Sequence, residues 1–184
     1  MSPLRSVLAG LLGAALVFQI WYETHVFGRQ PLTFLYVYRI VLIAGFALLL
    51  LSRGRSRSIN AAVRFWIAVD FAYSIADRFG VVGHYGSPGV SWGNWKNFVA
   101  YTHVLTGWLP VVAAPLLAVG ATVYEAVLAV TLAFGILSRI FCLAAALLTG
   151  IYVVTMSFTS GFMSQFDYAV LLLCVGSLFL AVAS

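Results

Sequence analysis

Residues 109–158 read LPVVAAPLLAVGATVYEAVLAVTLAFGILSRIFCLAAALLTGIYVVTMSF, and in this run only Glu125 and Arg139 carry a charge. A helix that crosses a membrane needs about 20 mostly apolar residues, because each rises about 1.5 Å through a hydrocarbon core about 30 Å thick. The run holds two such segments, 109–137 and 140–158. Working outward from it, the same test selects 7–22, 32–52, 61–79 and 166–183. The 184-residue chain is 63% hydrophobic and 8% charged, with a mean hydropathy of +1.04. That composition excludes an ordinary soluble domain. The expected fold is an all-α integral membrane protein with about six transmembrane helices.

The first apolar stretch is short and follows Arg5, so a cleaved signal peptide must be weighed. Retention is favoured, because the stretch ends in the interfacial pair Trp21 and Tyr22 and no small-x-small cleavage site follows. Positive charge stays on the cytoplasmic side. With the N-terminus inside, Arg5, Arg53, Arg55, Arg57, Arg64 and Arg139 fall on or near that face, against Arg29, Arg78 and Lys96 outside. Both termini are therefore predicted cytoplasmic. The cluster Ser52-Arg-Gly-Arg-Ser-Arg-Ser58 then reads as a topology signal, and the net charge of +5 is no argument for a nucleic-acid partner.

Composition turns polar and basic over 52–60, which divides the chain into an N-terminal pair of spans, 1–60, and a four-span domain, 61–184. Spans one and two are joined by the short turn Gly28-Arg-Gln-Pro31. The long connection 80–108 opens with glycine-rich turns. Its second half spaces Trp95, Phe98, Val99, Thr102 and Leu105 along one face of a short helix. Such a helix lies in the outer interface with Trp92, Trp95 and Trp108 at headgroup level, either as an anchor in lipid or as a lid over a cavity between the spans.

Several spaced motifs carry a family resemblance: Ala76-Asp-Arg-Phe-Gly80, Gly83-His-Tyr-Gly-Ser-Pro-Gly-Val90, Trp92-Gly-Asn-Trp95, Phe98-Val-Ala-Tyr-Thr102, Trp108-Leu-Pro110, Glu125, Leu132 to Arg139, and Met156 to Asp167. Over about 61–183 the chain resembles the DoxX family of small bacterial integral membrane proteins. The resemblance implies a four-helix transmembrane bundle in the bacterial cytoplasmic (inner) membrane, to which the first two spans are an addition. Some members of that family are small subunits of thiosulfate:quinone oxidoreductases, and others are linked to membrane redox complexes.

Charges at membrane depth are costly and face a protein interior, a partner or a wet cavity. Asp70 falls near the middle of its span, and Glu125 lies about 21 Å along the helix axis from Arg139. Each carboxylate needs a proton or a cation there. Arg39 in the upper half of the second span and Arg64 in the lower half of the third are the available cations, so Arg39, Arg64, Asp70 and Glu125 are expected to form a buried charge network. A structural role for it stands beside a proton-relay role for Glu125 and Asp70. Neighbouring residues on a helix diverge, so Asp77 and Arg78 should each find a separate partner in the loop or on another span. With Trp92, Tyr101, His103 and Trp108 they form the candidate rim for a quinone head group.

His25, His84 and His103 sit in scattered segments without paired ligand spacing, so no metal site is expected. Cys142 and Cys174 lie within apolar spans as packing residues, and no Cys-x-x-Cys is present for a thiol relay or covalent haem. No catalytic residue is assigned. A redox reaction needs some carrier of electrons, so the chain alone is expected to show no turnover. It reads as a membrane subunit or accessory protein of a respiratory or redox complex, with other membrane subunits and the lipid bilayer as partners and a quinone as non-covalent cofactor. The alternative is a standalone small-molecule transporter or membrane scaffold protein.

Overall fold

A computed structural model describes residues 3–27 and 34–183, and every regular element among them is helical. The turn read at 28–31, Arg29 with it, and the first residues of the second apolar stretch lie outside the described residues. Helix α1, Pro3–Tyr22, ends in a π-helical turn at Glu23–Phe27. It is followed by α2, Phe34–Leu51, and α3, Arg57–Arg78. A loop leads to the short α4, Trp95–Leu105. Then come α5, Ala113–Phe134; α6, Ser138–Thr159; the single turn α7, Ser164–Asp167; and α8, Val170–Ala183.

Among the described residues four helical segments are long and apolar enough to cross a membrane: Pro3–His25, Arg57–Arg78, Ala113–Phe134 and Ser138–Thr159. Val37–Leu51 and Val170–Ala183 are apolar but shorter. The chain is an all-α membrane protein, and large side chains such as Phe134 and Phe158 point outward as lipid requires. The stretch read as one span at 166–183 is broken. Ala169 takes a left-handed backbone (φ 51°), a conformation that costs an L-residue about 1–2 kcal/mol and stops a helix. Asp167 and Tyr168 are thereby turned onto α1 and the α3–α4 loop, where Asp167 accepts from the Tyr22 hydroxyl and Tyr168 stacks on Trp92.

Side-chain contacts give the helix directions. Gly45 of α2 faces Val63 of α3, Arg64 of α3 reaches Leu132 of α5, and Tyr124 of α5 reaches Ala144 of α6. Cys174 of α8 lies against Ala146 and Gly150 of α6, and Arg5 of α1 donates to the Ala183 carbonyl at 3.2 Å. Helices α1, α2, α3, α5, α6 and α8 therefore alternate in direction around a ring that α8 closes against α1. Residues near 5, 54 and 183 meet at one end, the basal end. Helix α4 covers the other, the capped end.

One core joins the two sequence segments. Leu12, Phe46, Ile67, Leu132, Cys142 and Phe179, from six different helices, belong to a single buried cluster. Phe46 has no exposed surface because Gly176 makes room for its ring: a Cβ at 176 would sit 1.9 Å from the ring edge. Overpacking of this kind costs about 1–3 kcal/mol. Gly176→Ala should lower the thermal unfolding midpoint in detergent, and Phe46→Leu in the same chain should restore part of the loss. A Gly176→Ala protein that melts with the wild type would show that the α2–α8 contact is looser than described.

Candidate functional site

The capped end is organised by two adjacent residues in the last turn of α3. Asp77 is buried and turns toward the loop. Its Oδ2 accepts from the backbone amides of Ser91 (2.8 Å) and Trp92 (3.2 Å), and its Oδ1 from that of Gly93 (3.0 Å). Gly93 is required where it stands, with φ +65° and a would-be Cβ 2.3 Å from the Tyr85 nitrogen. Next, Asn94 caps α4 by accepting from the Asn97 amide at 2.9 Å, and the Asn97 side chain donates to the Trp92 carbonyl at 2.8 Å. The carboxylate thus fixes where α4 begins.

Arg78 goes the other way. Helical side chains lean toward the N-terminus of their helix, so an arginine in the last turn of α3 runs back into the bundle. Its guanidinium donates to Ser74 one turn earlier (3.0 Å), to Thr122 of α5 (2.8 Å) and to Glu125 Oε2 (2.6 Å). Its Cζ lies 3.8 Å from the Phe98 ring centroid and 5.4 Å from that of Trp92, within cation–π range. The other Glu125 oxygen accepts from the Tyr152 hydroxyl of α6 at 2.6 Å. Arg78 and Glu125 are each only 1% exposed.

Beneath α4 lies a cavity of about 490 Å³. Phe98, Tyr101, Thr102 and Leu105 of α4 form its roof. Its walls are mostly apolar, with polar groups at Tyr38, Asp70, Arg78, Glu125 and Tyr152. Asp70 accepts from the Tyr38 hydroxyl at 2.7 Å. Among the described residues the ion pairs are Arg78–Glu125 and Arg39–Glu23, so Asp70 is paired with a phenol and not with a cation. In the roof, burial first, then the neighbouring Tyr168 and Asp167, push the Tyr101 phenol up from its ordinary range. It stays a neutral hydrogen-bonding group.

Of the six residues read as a rim, Asp77, Arg78, Trp92 and Tyr101 line this cavity and His103 and Trp108 do not. Trp108 is 63% exposed, and His103 keeps its Nδ1 buried without a hydrogen-bond partner among the described residues. The four residues read as one charge network fall into separate contacts. Glu125 is paired with Arg78, not with Arg39 or Arg64. Arg39 holds Glu23 at 2.9 Å. Arg64 donates to the Leu132 carbonyl (2.9 Å) and the Ser138 hydroxyl (3.0 Å), closing the α5–α6 turn toward the basal end. Ser74, Thr122, Tyr38 and Tyr152 were not singled out by the sequence reading. Two of them carried a signal, since Ser74 with Arg78 and Thr122 with Glu125 stand one turn apart on a single helix face. Among the described residues no three His, Cys, Asp or Glu side chains converge as a metal site would need.

Comparison with protein-family models, with curated proteins and with solved structures finds no match for this chain. The site is therefore read from its geometry. A hydrogen bond to a charged group contributes about 1.5–3 kcal/mol, and 1.4 kcal/mol is tenfold in an equilibrium. Asp77→Ala should accelerate amide hydrogen exchange at 91–93 at least about tenfold while leaving the middle of α5 protected. Unchanged exchange at those three amides would contradict the role given to Asp77.

Proposed function

We propose that this chain is a membrane subunit of a quinone-linked redox complex, holding the head group of a quinone in the cavity under α4 and taking electrons from a partner subunit. The observation that carries the reading is the cavity itself, of a size that suits a small-molecule ligand and with a mostly apolar wall into which Asp70, Arg78, Glu125 and Tyr152 bring hydrogen-bonding groups. A quinone offers two carbonyl acceptors on a flat ring, and its reduction by two electrons takes up two protons. The Arg78 guanidinium, whose Nε–H has no partner among the described residues, suits a carbonyl, and the Tyr38 and Tyr152 phenols suit one when Asp70 or Glu125 is protonated and releases the phenol O–H. Asp70 and Glu125 are carboxyl groups hydrogen-bonded to those phenols and so suit proton exchange. Phe98, Trp92 and Tyr101 supply flat surfaces for the ring.

The resemblance to the DoxX family supports the same reading and adds the bacterial inner membrane as its setting. In this reading the bundle crosses the membrane six times. Helix α2 and the α7–α8 unit complete the crossings, the basal end with both termini is cytoplasmic, and α4 lies at the outer face. With two separated cysteines and no thiol pair in the sequence, the electrons are supplied by another protein.

The test is purification in mild detergent from quinone-replete bacterial membranes, with an optical spectrum and mass spectrometry of the solvent extract. A quinone should be present at near-stoichiometric amount, and Glu125→Gln should lower its content severalfold. The isolated chain should show no quinol turnover until its partner subunits are restored. A quinone-free protein that also fails to bind added decylubiquinone would overturn the reading.

A further inference from the structure

We infer that the cavity is loaded sideways from the bilayer, through a gap between α5 and α6, and that its ligand keeps an apolar tail in that gap while its polar head lies inward. This rests on reading the cavity as a ligand site, but not on the ligand being a quinone. The walls differ in kind. Phe98 of α4 and Leu173 of α8 line the cavity and are buried, at 5% and 1% exposure. Leu116 of α5 and Leu147 and Ile151 of α6 line the same cavity and are 75%, 64% and 51% exposed. A side chain that lines a cavity and also faces outward stands at its mouth. Both helices are long and apolar enough to cross a membrane, and in a bilayer that mouth would face hydrocarbon.

The gap has a lower edge. Toward the basal end α5 and α6 are tied by the Tyr124 hydroxyl donating to the Ala144 carbonyl at 3.3 Å and by their short connecting turn. Between that tie and the α4 roof stands Gly120, which lines the cavity. Glycine is a poor residue for a helix interior, and this one is not there for close packing, since a Cβ at 120 would meet nothing within 4 Å. Its effect is to leave the mouth wide. The rim is apolar, whereas Arg78, Glu125 and Tyr152 lie together as the polar pole. Such a site orients an amphipathic molecule head inward, and it suits a lipid-soluble compound with a single tail better than a small water-soluble one.

The experiment uses the full chain in phosphatidylcholine vesicles containing palmitic acid with a diazirine on the chain close to its carboxyl group. Irradiation is followed by mass spectrometry of the labelled peptides. Met156, 3% exposed and part of the cavity wall, reports the interior, and Phe158, 85% exposed, reports the outer surface. Met156 should be labelled in the wild type. Gly120→Trp should reduce that labelling at least about fivefold and leave Phe158 unchanged, while Gly120→Ala should behave as wild type. Gly120→Leu serves if the tryptophan variant does not fold. Labelling of Phe158 without Met156 in the wild type, or equal Met156 labelling in a folded Gly120→Trp protein, would overturn lateral access. Met156 labelling in a protein that binds no quinone would leave the gap standing and remove the quinone reading. A quinone-binding protein with Met156 unlabelled would do the opposite.

Discussion

The Arg78–Glu125 ion pair, 2.6 Å long and 1% exposed on both sides, is the interaction on which the capped half of the molecule depends. Two charges taken out of water lose several kcal/mol of hydration each, and they recover it only with good geometry and further hydrogen bonds. Ser74, Thr122 and Tyr152 supply those bonds, and Phe98 places its ring against the guanidinium. One salt bridge therefore sets the spacing of α3 and α5, brings α6 to them through Tyr152, and seats α4 above. Asp77, the preceding residue, holds the loop from which α4 springs. Adjacent residues that diverge on a helix thus serve opposite ends of one task.

The polar and apolar parts of the interior are segregated along the bundle. Toward the basal end the space is filled by Leu12, Phe46, Leu132 and Phe179, with no room left beside the Phe46 ring. Toward the capped end packing gives way to a cavity lined by three differently partnered carboxyl groups: Glu125 with a guanidinium and a phenol, Asp70 with a phenol, and Asp77 with three backbone amides. Asp70 and Glu125, each hydrogen-bonded to a phenol at the cavity, suit the proton exchange of the proposed quinone site. They support the proposed quinone subunit more directly than any single residue does.

Much of this was legible in the sequence. The apolar runs around α3, α5 and α6 are long enough to stand out by hydropathy, and the spacing of Trp95, Phe98, Thr102 and Leu105 marked α4 before its roofing position was known. The separate destinies of Asp77 and Arg78 followed from their adjacency. The partner of Glu125 did not. With Arg78 placed at the outer end of its span, Arg39 and Arg64 are the available cations, but an arginine side chain reaches more than a helical turn, and its lean toward the N-terminus carries Arg78 inward from the end of α3. Nor was the break at Ala169 legible, because neither glycine nor proline marks it. It is imposed by tertiary contacts of Tyr168 with Trp92 and of Asp167 with Tyr22. Local sequence reports burial and period well, and it reports poorly which of several long side chains will meet.

The most direct measurement is a double-mutant cycle of unfolding stability in detergent on Arg78→Met, Glu125→Leu and the two together. Removing one partner of a buried pair leaves the other charge uncompensated and costs about 3–5 kcal/mol. Each single variant should therefore be strongly destabilised, and the double variant should lose less than the sum of the two by about 2 kcal/mol or more. Costs that add within about 0.5 kcal/mol, as for independent sites, would contradict the claim that this ion pair organises the capped half of the protein.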